Sequence, residues 1–213
     1  MLNLKQLSKV MFSSFGFERT PTLNRLFAGV FISAIGTGMT LSLLLVYLHE
    51  LRGFTNSFGG FILAYMATIA VVFTAPAGWL IDKIGPKPVA LFGLLLEGGA
   101  VAGWALVNTK FEAILVASLS AIGTLMIWPP QTVMITRATD PSIRQNAFAL
   151  NFMLLNLGIA FGGLLAASIV KDGDLQSFQV LYFADSLSYA GYFYLATVKV
   201  NSEESIFRAS AGG

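Results

Sequence analysis

Two carboxylates sit inside stretches that are otherwise apolar. Glu97 interrupts the run from Pro88 to Val107, and Asp185 interrupts the run from Val180 to Val198. A charge at the centre of a bilayer costs about 2.5–3.5 kcal/mol on insertion scales, so an acid kept there is neutral, paired or used. Neither run contains a Lys or Arg to pair with it. Two chemistries fit each acid: a carboxylate that carries protons, or a neutral acid hydrogen-bonded between packed helices. Ser186, Ser188 and Tyr189 offer Asp185 local partners. Other chemistry finds little support. His49, the single histidine, falls at the edge of an apolar run and reads as a solvated loop residue, so a membrane-embedded Ser–His pair is not available. The chain has no cysteine, which excludes a disulfide framework, a thiolate zinc site and a cysteine nucleophile. No Gly-x-x-x-x-Gly-Lys-Ser/Thr loop is present for ATP, and no basic patch suits nucleic acid. An enzyme, a metal and a cofactor are therefore not expected.

The elements that hold these acids follow from composition. Of 213 residues, 55% are hydrophobic and 11% charged, and the mean hydropathy is +0.73. A soluble domain carries about 25% charged residues. The apolar residues form long blocks: Leu26 to Leu48, Phe58 to Ile81, Pro88 to Val107, Ala113 to Ile135, Ala147 to Val170 and Val180 to Val198. About 20 helical residues cross a hydrocarbon layer about 30 Å thick. The pattern predicts an all-α membrane protein with six transmembrane helices over residues 26–198. A segment over 1–25 precedes the bundle and a tail over 199–213 follows it.

Charge placement orients the bundle. Lys5, Lys9, Arg19 and Arg25, then Lys83 and Lys87, then Arg137 and Arg144, then Lys199 and Arg208 fall on one side; Arg52, Lys110 and Lys171 fall on the other. That is ten against three, alternating loop by loop, and it predicts both termini in the cytoplasm of a plasma (inner) membrane protein. The first residues hold charges but no continuous apolar core, so a cleaved signal peptide is not expected. Leu4, Leu7 and Met11 fit either a short surface helix or a polar leader.

Small residues mark packing faces, because helices in lipid associate through close backbone approach. Gly158, Gly162 and Ala166 recur at spacing four, with Gly163 beside them; Gly99 with Gly103, and Gly36 with Gly38, repeat the theme. Trp128-Pro129-Pro130 removes two backbone donors and predicts a bend or break in the fourth helix.

The loop Gly78-Trp79-Leu80-Ile81-Asp82-Lys83-Ile84-Gly85-Pro86-Lys87 closely resembles the signature loop of the major facilitator superfamily, Gly-x-x-x-Asp-Arg/Lys-x-Gly-Arg/Lys-Lys/Arg, with Pro86 at a position usually basic. It lies between the second and third predicted helices, as in that family. Gly36-Thr37-Gly38 resembles the family's first helix. Pro129-Pro130-Gln131, Arg144 and Asn156-Leu157-Gly158 resemble the fourth and fifth, and Phe183-Ala184-Asp185-Ser186-Leu187-Ser188-Tyr189 resembles the sixth, especially in drug-efflux members. Gly158 and Gly162 match the fifth-helix pattern of proton-driven antiporters, while Gly163 stands where that pattern has proline, and the arginine often found in the fourth helix is missing.

The resemblance implies one half of the family's fold, with helices 1, 4 and 5 lining a cavity, helix 2 at the interface between halves, and helices 3 and 6 peripheral. It implies a cytoplasmic gate of Gly78, Asp82, Lys83, Gly85, Lys87 and Arg144, in which Asp82 accepts from a neighbouring helix terminus or from Arg144. Gly78 would let helix 2 approach a neighbour. Thr37, Thr40, Tyr65, Trp128, Gln131, Asn151 and Asn156 are the cavity candidates; Glu97 and Asp185 are the proton-carrier candidates. The implied function is secondary transport of a small molecule by alternating access, preferably drug or metabolite efflux coupled to protons. A second six-helix half would be supplied in cis, in trans or by a second copy. A non-transporting fragment or a partner subunit of a split transporter is the alternative.

Overall fold

The computed structural model describes residues 20–171 and 173–197. The sequence readings at Leu4, Leu7 and Met11 and over the tail 199–213 lie outside the described residues.

Helix α1 runs Pro21–Thr40, with Pro21 in its first turn and the Thr20 hydroxyl accepting from the Leu23 N–H at 3.4 Å. It starts five residues before the predicted apolar run, because Thr20-Pro21 is a start signal of its own. Beyond Thr40 the same span continues through a 3₁₀ turn at Leu41–Leu43, one α-turn at Leu44–Val46 and a π-turn at Tyr47–Leu51. Helix α2 is Asn56–Ile84, opened by the Thr55 side chain accepting from the Phe58 N–H. A single residue, Gly85, joins it to α3, Pro86–Trp104. Gly85 has φ +89° and ψ 161°, a region that only glycine occupies freely, and Pro86 is pre-set for the first turn of the next helix. The basic residue usual at position 86 is thus replaced by a helix starter.

Helix α4, Lys110–Leu125, opens with a capping box between Thr109 and Glu112. The fourth span then breaks at Met126 and Ile127, and α5, Trp128–Arg137, restarts it with its prolines in the first turn. Helix α6 is Arg144–Ile169 and α7 is Leu175–Thr197.

The six spans pack in the order α6, α1, α7, α3, α4, α2. Spans α2 and α6 close the two ends of this series and expose most of their apolar surface, including Val71, Val72, Phe152 and Leu164. Four spans are long and apolar enough by composition alone to cross a membrane. The two others are α3 and α7, which carry Glu97 and Asp185, and these two pack against each other. At 19 residues, α3 reaches about 28 Å, enough for the hydrocarbon layer.

Three of the interhelical links meet at one end of the bundle. Arg52 donates from Nε to the Tyr47 hydroxyl at 2.8 Å, from one terminal nitrogen to Asn108 Oδ1 at 2.8 Å and from the other to the Ala105 carbonyl at 2.6 Å. Gln179 reaches the same carbonyl at 2.8 Å from α7. Arg52, Lys110 and Lys171 therefore share an end, as the alternating charge pattern requires.

Candidate functional site

A cavity of about 350 Å³ lies between spans 1, 3, 4 and 6, with Met66 of α2 and Leu155 and Ile159 of α6 at its edge. Its walls combine aliphatic and aromatic groups with a few polar ones. Thr37 and Thr40 come from α1, Glu97 from α3, and Ser120 and Thr124 from α4. Trp128 and Gln131 come from α5, and Tyr182, Asp185 and Tyr189 from α7. Spans 3 and 6 are not peripheral to this cavity. They form one wall of it and bring both acids to it, because the polar faces of α3 and α7 are turned toward each other and away from lipid.

The two acids differ in how they are held. Asp185 is 1% exposed; its Oδ2 accepts from Thr40 Oγ1 at 2.6 Å and its Oδ1 from Ser188 Oγ at 3.3 Å. Glu97 is 5% exposed; its Oε1 accepts from Ser120 Oγ at 2.7 Å, while Oε2 lies near Thr124 and makes no hydrogen bond among the described residues. The Tyr182 hydroxyl is likewise buried and unpartnered. Glycine makes room for each acid. A Cβ on Gly36 would collide with Asp185 and Ser188, and a Cβ on Gly123 would come within 2.8 Å of Glu97 N and Oε2.

Thr37, Thr40, Trp128 and Gln131 line this cavity. Thr37 pairs with the Tyr189 hydroxyl at 3.1 Å. Tyr65, Asn151 and Asn156 do not line it. Tyr65 pairs with Ser118 at 3.0 Å, and Asn156 is exposed, with its amide on the Phe152 carbonyl of its own helix. Asn151 stands behind the wall, accepting from Gln131 Nε2 at 3.1 Å, while Gln131 Oε1 accepts from the Tyr192 hydroxyl at 3.2 Å. This chain of polar groups fixes the Gln131 amide across spans 4, 5 and 6.

The signature loop departs from its sequence reading in two respects. A Cβ on Gly78 would meet nothing within 4 Å among the described residues, so Gly78 serves no approach between the described helices. Asp82 is exposed and does not pair with Arg144; one terminal nitrogen of Arg144 donates to the Thr136 carbonyl at 3.3 Å, and its Nε is buried without a partner among the described residues. Lys83 lies over the Trp79 ring, 4.6 Å from its centre, and Lys87 is exposed on α3.

The packing glycines also divide. Gly158 and Gly162 press on α1: a Cβ on Gly162 would collide with the Ile35 carbonyl and come within 2.9 Å of Gly38 Cα. Gly163 and Gly99 face open space, contrary to their place in the small-residue pattern, whereas Gly93 fits against the Met126 backbone at the break in span 4.

A comparison with protein families matches residues 26–209 to the Major Facilitator Superfamily. The chain belongs to the Major Facilitator Superfamily. Its relatives include an MFS-type transporter, YqjV, of Bacillus subtilis, 24% identical over 64% of this chain and 33% of that protein. The multidrug resistance protein MdtG of Proteus mirabilis is 28% identical over 79% of this chain and 42% of that protein. The multidrug resistance protein MdtH of Aeromonas hydrophila is 31% identical over 44% of this chain and 24% of that protein. The chain spans less than half the length of each. The family and these transporter names make it a multi-pass membrane protein of a transporter family and not an enzyme. Its six spans correspond to half of the Major Facilitator Superfamily fold.

Within this superfamily half, sequence reading misses Ser120, Tyr182 and Tyr192. Ser118 and Ser120 in an otherwise apolar helix are the available signal for the first. Nothing local marks the two tyrosines among the many aromatics of α7.

Proposed function

We propose that this chain is the six-helix half of a secondary transporter that exports a drug-like or metabolite-like small molecule by alternating access, driven by protons. It would sit in the plasma (inner) membrane with both termini cytoplasmic, beside a second six-helix half supplied in cis, in trans or as a second copy. The observation that carries this reading is the meeting of Glu97 and Asp185 in one mostly apolar cavity, with no Lys or Arg among its lining residues. A buried acid without a counter-charge is a candidate to gain and lose a proton as a site opens and closes. The aromatic and amide lining suits a large, mostly apolar ligand, and relatives named for multidrug resistance point the same way.

Gly78, Asp82, Lys83, Gly85, Lys87 and Arg144 would form the gate on the cytoplasmic side. Asp82 without a counter-charge and Gly78 without a neighbour among the described residues leave this face open to a partner, which the second half would supply. The second reading is a non-transporting fragment or a partner subunit of a split transporter.

Ethidium efflux from cells expressing the chain in its native gene context tests the proposal. Efflux that collapses with a protonophore and is lost in Glu97→Gln supports it. Efflux insensitive to both would count against proton coupling, and no efflux above that of the empty strain would favour the subunit reading.

A further inference from the structure

Span 1 loses α-helical register between Leu41 and Leu51, although this segment contains neither proline nor glycine. Breaks of this kind have a local cause or a tertiary one. Here both ends of the irregular segment are held by polar bonds to other spans. At its start, Thr40 Oγ1 donates to Asp185 Oδ2 at 2.6 Å, and Gly36, one turn earlier, has no side chain to keep α7 away. At its far end, the Tyr47 hydroxyl donates to the Trp104 carbonyl at 2.7 Å and accepts from Arg52. Both oxygens of Asp185 are engaged, by Thr40 and Ser188, and the side chain is almost fully enclosed. Glu97 has one oxygen, beside Thr124 and the cavity, that accepts no hydrogen bond among the described residues.

We propose that Asp185 is a positioning residue, a latch that fixes the irregular end of span 1 against α7, and that Glu97 alone is the exchanging carboxylate of the cavity. The division of labour between the acids rests on the transport reading; the latch does not. The bond needs an acceptor at position 185 and a donor at position 40, not a negative charge. An asparagine presents its carbonyl oxygen to Thr40 with nearly the same shape, so Asp185→Asn retains the latch. Asp185→Ala and Thr40→Val each remove one side of it.

Hydrogen exchange of the chain in lipid nanodiscs, with ethidium efflux in cells, tests this. Asp185→Ala and Thr40→Val are expected to speed amide exchange over 41–51 about tenfold, the opening expected from one lost buried hydrogen bond, and to leave α2 unchanged. Asp185→Asn is expected to exchange like the native chain, whereas Glu97→Gln exchanges normally and loses efflux. If Asp185→Asn exchanges normally but loses efflux, Asp185 is an exchanging group and the division is overturned. If neither Asp185→Ala nor Thr40→Val changes exchange over 41–51, there is no latch. Should Asp185→Ala fail to fold, Thr40→Val, which exchanges one hydroxyl for a methyl, decides alone. A native chain without efflux sinks the transport reading, and the exchange arm still decides the latch.

Discussion

Ser120 Oγ donates to Glu97 Oε1 across 2.7 Å, joining α4 to α3 at the point where both helices face the cavity. The bond is the one hydrogen bond that Glu97 Oε1 receives among the described residues, and Gly123 lies one turn further on, under the same carboxylate. Interhelical hydrogen bonds in membranes contribute about 0.6–1.7 kcal/mol, and an acceptor left buried without a donor costs about 1–3 kcal/mol. Ser120→Ala is therefore expected to lower stability by about 1–3 kcal/mol, read as a shift in the unfolding midpoint in mixed micelles.

Gly162 and Gly163 are adjacent and make opposite predictions. Gly162→Ala drives a methyl into the Ile35 carbonyl and the Gly38 backbone. Overpacking of this kind costs about 1–3 kcal/mol. Gly163→Ala adds a methyl where there is open space and replaces a poor helix former with the best one. Thermal unfolding of the two variants should show a lowered midpoint for the first and an unchanged or raised one for the second.

Gly85→Ala tests the turn between α2 and α3. At φ +89° and ψ 161° a side chain costs about 1–3 kcal/mol, so the variant should lose that much stability. Gly78→Ala, in the interior of α2 and facing nothing among the described residues, should leave stability within about 0.5 kcal/mol of the native value or raise it. If Gly78→Ala nonetheless abolishes efflux, its surface contacts another half.

Arg52→Lys tests the knot at the opposite end. The guanidinium satisfies three acceptors at once in fixed directions, and an ammonium cannot reproduce that fork. Hydrogen bonds from charged donors contribute about 1.5–3 kcal/mol. The variant should lose at least one of them and exchange faster at the amides of 105–109, measured by hydrogen exchange with mass detection.

The absence of cysteine from the sequence allows topology to be mapped with single introduced thiols. Lys83→Cys should react with a membrane-impermeant maleimide only after the cells are opened, and Lys110→Cys should react in intact cells. The reverse pattern would invert the proposed orientation.

The positions of the spans and of the turns between them are written in the order of residues along the chain. Apolar runs long enough for lipid, separated by Asp82-Lys83, Arg137 and Lys171, leave little choice of where the chain turns, and the Gly85-Pro86 step and the Trp128-Pro129-Pro130 break follow from backbone chemistry that acts locally. Which face of each helix meets a neighbour was decided only in the tertiary structure. In water, a polar face and an apolar face tell the inside of a helix from the outside, but in a bilayer both the packed face and the lipid face are apolar, so that signal is missing. That is why Gly162 and Gly163 look alike in sequence and differ in space, and why Tyr65, Asn151 and Asn156 could not be told from true cavity residues. The approach of α3 to α7 brings Glu97 and Asp185, 88 positions apart, to one cavity. It depends on the close approach of Gly98 on α3 to Ser186 and Tyr189 on α7, which no local pattern encodes.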